Sequence, residues 1–257
     1  MASPGVTAAG RYLARAAELL QRVAESQAEV IEQAAQRIAE VVRRRRLVHT
    51  FGCGHSGLLA QEIFYRSAGL MLVNYIHAPG QTLDVRPVRI TSHFERLSGY
   101  ASILLSGQDI QPDDVVIVIS SSGRNAVPIE VAMEARKRGA FVIALTSMAI
   151  ARSGVKSRHW SGTLLHEQAD LILDNGLDPG DAMVDLPNFP QRVGPMSTVV
   201  GAALLQAIVA RAIEALAVET TDLPVYINAN VDGGTEHNER WVSRLADEVK
   251  HLRAGLT

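Results

Sequence analysis

The chain has 257 residues, 47% of them hydrophobic and 20% charged. That is core material for one large α/β domain with additions, and it excludes both a small stapled module and wholesale disorder. Lys and Arg number 25 against 27 Asp and Glu, a net charge of −2, so no general electrostatic footprint for nucleic acid is present, and the single cysteine, Cys53, excludes an internal disulfide or a Cys-based zinc cage.

The first residues lack the basic and apolar regions of a signal peptide. Residues 8–42 are rich in Ala, Glu and Gln, with apolar residues at helical spacing from Leu13 to Ile38, which predicts two helices or one broken helix. Arg43 to Arg46 read as favourable charge at a helix C-terminus ahead of a strand. Residues 47–51 are a short strand stopped by a glycine loop at 52–57. A helix over 58–68 and a second strand over 70–76 follow. The unbroken β-branched run at 115–119 is a strand buried on both faces; it ends in three serines and a glycine, and a helix is predicted over 127–138. Further strands are expected at 141–145 and 171–173. Residues 178–195, with their Pro and Gly content, read as an irregular active-site loop. The uncharged stretch 193–210 contains Pro195, Ser197, Thr198 and Gln206, so it predicts a core helix over 196–217 and not a membrane span. A cytoplasmic protein with no membrane partner is expected. Strands alternating with helices mean a doubly wound parallel sheet, with the ligand at the C-terminal strand ends. The chain divides into a helical segment over 1–46, the α/β domain over 47–217 and a C-terminal segment with a helix over 218–257.

Two strand-to-helix junctions carry the chemistry. In Gly52-x-Gly54-x-Ser56 the glycines let the backbone approach a ligand, and the helix start behind them offers free N–H donors to an anion. The third glycine of a dinucleotide fingerprint is misplaced, and no Gly-Lys-Ser/Thr follows. In the second junction, Ser120, Ser121, Ser122, Gly123, Arg124 and Asn125 crowd a helix start after a buried strand. A helix cap needs one such side chain, so the cluster favours a phosphate cradle.

In their order and content these loops resemble the sugar isomerase (SIS) domain family of phosphosugar-binding proteins, over about residues 47–216. The resemblance implies the doubly wound fold, and phosphate held by Ser56 from the first loop and by Ser120 and Ser122 from the second. Asn125 stands in place of the family's threonine. Ser122-Gly123-Arg124, with Glu95 upstream, is similar to the N-acetylmuramic acid 6-phosphate etherases, although Asn125 departs from their full signature. The whole pattern is closer to a smaller SIS group that includes actinomycete N-acetylglucosamine 6-phosphate dehydratases, through Phe51 to Gly57, Tyr75 to Ala78, Ser157 to His159, Asp174 to Gly176 and Asn228 to Gly234.

That resemblance implies a lyase acting on an aminosugar 6-phosphate. A carboxylate removes the C2 proton, acidified by the open-chain carbonyl, and the C3 hydroxyl leaves. Glu62 is the expected base and Glu95 the acid or partner. His237, in the last predicted helix, is a proton donor or ring opener reaching a neighbouring subunit's site. Gly54, His55, Ser56, Ser120, Ser121, Ser122, Gly123, Asn125 and His77 form the expected substrate site. His159 and His166 read as solvated, and Cys53 as a small buried residue. No metal or cofactor is implied, and a homodimer is expected. Two further readings stand beside the lyase: an aldose–ketose isomerase or etherase, and a phosphosugar sensor without turnover.

Overall fold

A run such as Val115–Ile119 has no polar residue with which to face water, so it takes the middle of a sheet covered on both sides. The computed structural model, which describes residues 7–249, places it there as β3. On one side of it lies β1 (Val48–Gly52), then β2 (Val73–Tyr75) at the edge. On the other lie β4 (Phe141–Thr146) and β5 (Leu171–Asp174). All four pairings are parallel, in the order β2-β1-β3-β4-β5. This is the expected doubly wound sheet.

Strand alternation sorts the core into two layers. Val48, Val115, Ile117, Ile119, Ile143 and Leu145 face one side. They meet α2 (Ala28–Arg43), α3 (His55–Glu62) and α8 (Ser197–Ala217). Phe51, Val116, Val118, Val142 and Ala144 face the other side, under α5 (Tyr100–Ser106) and α6 (Ala126–Lys137). The N-terminal region is two helices: α1 (Ala8–Ser26), capped by Thr7 Oγ1 accepting from Gly10 N at 3.2 Å, breaks at Gln27 before α2. By length and composition α8 could cross a membrane, but Val200, Leu204, Leu205, Ile208 and Val209 are buried within the fold.

Two expectations change. The helix after the first loop ends at Glu62, six residues early, where Tyr65 and Ala68 take positive φ. Residues 178–195 are not irregular. They form an antiparallel ribbon, β6 (Ala182–Leu186) and β7 (Phe189–Pro195), with Asn188 at φ 59 in its turn. The ribbon lies on α1, where Tyr12 Oη donates to Pro195 O at 2.9 Å and Arg11 Nη2 to Asp185 O at 3.0 Å. Its prolines sit at the tip and along a solvent-facing strand, where a missing N–H costs no ladder bond. Two short helices, α4 (Ile90–Phe94) and α5, occupy the crossover between β2 and β3. The C-terminal α9 is Gly234–Arg244, and α7 is Met148–Arg152.

The four-arginine run is consumed by structure. Arg43 pairs with Glu219, Arg44 with Asp113, Arg45 with Glu248 and Arg46 with Asp114. Asp114 matters most, being almost fully buried at the start of β1. Its carboxylate accepts from Leu47 N at 3.0 Å, Gln111 N at 2.8 Å, Arg46 Nε at 3.1 Å and His49 Nε2 at 3.2 Å. Burial alone would raise its pKa. The donors from His49, Gln111 and Leu47 outweigh it and hold the carboxyl below its ordinary value. Asp114→Ala should therefore cost about 3 kcal/mol in denaturant unfolding at neutral pH, because buried donors lose their acceptor. A group with a depressed native pKa contributes its full stability above the unfolded value and loses it as pH falls through the native one. The gap between wild type and variant should thus narrow as pH falls from about 4 through the lowered native value, and a gap unchanged across that range would contradict this account.

Candidate functional site

β1 and β3 run side by side and end level, with Gly52 opposite Ile119. Their helices then part: the buried face of α3 joins the core on one side of the sheet and that of α6 joins the other. The crevice between them is the switch point of a 2-1-3-4-5 sheet, where such folds bind ligands. Both loops picked out from the sequence border it.

Close approach shapes the first loop. A Cβ on Gly52 would stand 2.3 Å from the carbonyl oxygen of Ser56, so only glycine lets α3 begin this tightly against the strand end. Gly54 takes φ 56 and donates to Gln81 O at 2.8 Å. His55 opens α3 and is exposed, and Ser56 is half-buried beside it.

The second loop presents backbone donors. Gly123 takes φ 57, and a Cβ there would meet Thr146 Oγ1 at 3.0 Å. Among the described residues, the N–H groups of Ser121, Ser122, Arg124 and Asn125 donate to no acceptor. Unpaired N–H groups converging on a helix start are an anion cradle. The three serines divide. The buried Ser120 braces the loop, its Oγ accepting from Gly123 N at 3.3 Å. Ser121 turns toward β5, its Oγ accepting from Asn175 Nδ2 at 3.2 Å. Ser122 is half-buried, and its hydroxyl has no partner among the described residues. Of the three, Ser122 is the hydroxyl left for a ligand.

Glu95 follows α4 and enters this crevice. Its carbonyl accepts from Val127 N in the first turn of α6 at 3.1 Å, which brings its carboxyl near enough to the Asn125 side chain to be acidified by it. Cys53, at the end of β1, lies within its electrostatic reach. Burial raises the Glu95 pKa above its ordinary value, against the lowering effects of the Asn125 hydrogen bond, Arg96 and Arg158. Cys53 is buried as expected. Its thiol is pushed well up, first by burial and then by Glu95, and donates to Gln81 Oε1 at 2.5 Å.

The other expected residues lie elsewhere. Glu62 closes α3, about 10 Å along the helix axis from His55. There it pairs with Arg66 and accepts from Gln206 Nε2 of α8 at 3.3 Å. Within one chain the structure does not bring it to the loops. His77 is exposed past the end of β2, edge-on to Tyr75 with centroids 6.1 Å apart. His237 belongs to α9, its Nε2 hydrogen-bonded to Val225 O at 3.0 Å. That helix buries Trp241 beside Leu72, Leu216 and Pro224, toward the N-terminal strand ends and away from the loops. Asn125, expected to offer phosphate a hydrogen-bonding group, has its Oδ1 engaged by Arg158 within the chain. His159, expected in solvent, is buried against Glu130.

Sequence reasoning missed Arg158, and gave Arg124 and Arg96 no role. Arg158 Nη1 donates to Asn125 Oδ1 at 2.9 Å. Its pKa is lowered by desolvation against the loop and by Arg124 and Arg96, which marks these as three neighbouring guanidinium groups. Around one partly buried carboxyl they give the crevice a cationic rim. The presence of Arg158 in a run beside a histidine was the sole signal for it.

A family model described as SIS domain matches residues 11–147. A UPF0309 protein of Streptomyces coelicolor is 41% identical over 246 residues, covering 95% of this chain and 98% of that one. A UPF0309 protein of Oceanobacillus iheyensis is 37% identical over 241 residues, covering 94% and 98%. Among solved structures, a phosphoheptose isomerase from Francisella tularensis aligns with a TM-score of 0.55 at 15% identity, over 79% of this chain and 95% of that one. At that identity the likeness shows the fold.

Two substitutions separate the cradle from its scaffold. Ser122→Ala should leave the melting temperature unchanged and weaken inorganic phosphate binding about tenfold, the loss of one hydrogen bond to a charged group. Gly123→Ala should weaken binding and also cost about 1–2 kcal/mol, since it forces a side chain into a left-handed conformation against Thr146. Calorimetric titration and thermal melts read both effects.

Proposed function

The chain belongs to the SIS domain family, and from that premise we propose that it is a phosphosugar lyase that dehydrates N-acetylglucosamine 6-phosphate. The observation that carries this reading is the Glu95 carboxyl, held in the switch-point crevice between an amide-lined cradle and the glycine loop.

In this reading the 6-phosphate sits on the free N–H groups of residues 121–125 and the Ser122 hydroxyl, within the rim of Arg96, Arg124 and Arg158. His55, exposed at the start of α3, faces the sugar ring and assists its opening. The aldehyde acidifies the C2 proton, and Glu95, as carboxylate, takes it. The electron pair of the enolate moves into a C2–C3 double bond as the C3–O bond breaks. The protonated Glu95 returns its proton to the departing hydroxyl, which leaves as water. One carboxyl thus serves both steps on the same face, and the enzyme ends in its starting state. Support for loss of water, over return of the proton to C1 as in an isomerase, comes from the sequence resemblance through Phe51 to Gly57 and Asn228 to Gly234. A homodimer in which the partner covers the crevice mouth belongs to the same proposal.

Incubation of the protein with N-acetylglucosamine 6-phosphate should give a product lighter by one water in mass spectrometry. Glu95→Gln should reduce turnover by about 10³-fold, the usual contribution of a positioned acid or base. The base must be ionised, and its pKa is raised. The acid limb of kcat/KM should therefore lie above the ordinary carboxylate range, with activity falling as pH drops through it. An unchanged mass with a new ketose would replace the lyase by an isomerase, and no conversion at all would favour a sensor.

A further inference from the structure

Asn125 occupies the N-cap position of α6, yet its side chain does not cap the helix. Its Oδ1 accepts from Arg158 Nη1 at 2.9 Å, and the Arg158 backbone N–H donates to the carbonyl of Arg124 at 2.7 Å, so Arg158 is fastened to the loop at two points. A guanidinium can only donate. The amide oxygen must therefore face Arg158, which leaves the NH2 group to face Glu95. We propose that Arg158 is a positioning residue for Glu95: by fixing the Asn125 amide in one orientation, it holds the carboxyl in the crevice as an acceptor. The proposal rests on the reading of Glu95 as the base.

The neighbouring contacts serve the same end. Glu130, on α6, accepts from Ser98 Oγ at 2.5 Å and from Gly99 N at 3.0 and 2.9 Å, which ties down the chain just after Glu95. His159, the residue after Arg158, stands behind Glu130 with Nε2 at 3.5 Å. Val127 N holds the Glu95 carbonyl itself. The segment 95–99 is thus held to α6 through Val127 and Glu130, and Arg158 and His159 stand behind Asn125 and Glu130. Without Arg158 the amide is free to turn over and present its oxygen. An amide oxygen favours the protonated acid, which can donate to it, over the carboxylate, which cannot. The groups facing Glu95 are Cys53, Asn125, Arg96 and Arg158, and Cys53 is a neutral thiol at physiological pH.

The full-length protein, labelled with ¹³C at its glutamate side-chain carboxyls, gives a test that needs no turnover. The Glu95 resonance is the one missing from Glu95→Gln, and its chemical shift is followed against pH. Loss of the Arg158 charge raises the midpoint by itself, so two backgrounds are compared: Arg158→Leu should raise it by about half a pH unit or more in wild type and by clearly less in Asn125→Ala, where no amide remains to orient. Arg158 is exposed, so the melting temperature should hold. Inorganic phosphate binding is measured on the same variants. An unmoved midpoint, or an equal rise in both backgrounds, overturns the proposal, and an unmoved midpoint with tenfold weaker phosphate binding makes Arg158 a phosphate ligand instead. A rise that depends on Asn125, in a protein whose wild type converts no aminosugar phosphate, sustains the positioning role and sinks the lyase reading alone.

Discussion

The level ending of two parallel neighbours, β1 and β3, is the constraint on which the rest depends. Gly52 and Ile119 are the last paired residues, and each strand must then connect to a helix on a different face of the sheet. The chain cannot continue the ladder there, so backbone N–H groups that would have been paired are left pointing at the crevice. Glycines 52, 54 and 123 permit the close turns this requires. A site for an oxyanion follows from topology before any side chain is considered.

Side chains then decide what such a site can do. Two glutamates of the same intrinsic acidity are placed in unlike surroundings. Glu62 sits on the helical flank, paired with Arg66, and accepts from Gln206. Glu95 is drawn into the crevice by backbone contact with α6, with burial pushing its pKa up and Asn125, Arg96 and Arg158 pulling it back. Opposed effects of this kind suit the group proposed to take and return a proton. The His49–Asp114 contact at the far end of β1 uses the same chemistry for a different purpose: its donors are all satisfied, and it fastens the strand.

Much of this was legible in the sequence. The parallel, doubly wound sheet followed from β-branched runs between helical patterns, and both loops followed from glycine and serine content at strand ends, because those signals are local. What failed was non-local. The reach of Glu62 depends on where α3 ends and on Arg66 and Gln206, which no spacing rule relates. Residues 178–195 carry loop-like prolines, yet pair as a ribbon because Val184 and Val193 meet across it and α1 supplies a surface. Arg158 is thirty-three residues from the Asn125 it orients. Ser120 and Ser121 look like ligand groups by residue type, and only the fold shows that one braces the loop and the other faces Asn175.

The central claim is that Glu95, and not Glu62, exchanges the C2 proton of a phosphosugar held in the crevice. Nuclear magnetic resonance in D₂O on N-acetylglucosamine 6-phosphate reads deuterium entering at C2, or loss of the C2 proton into product. The account predicts that wild type and Glu62→Gln both act on that proton and Glu95→Gln does not. Exchange that survives in Glu95→Gln and disappears in Glu62→Gln would contradict it.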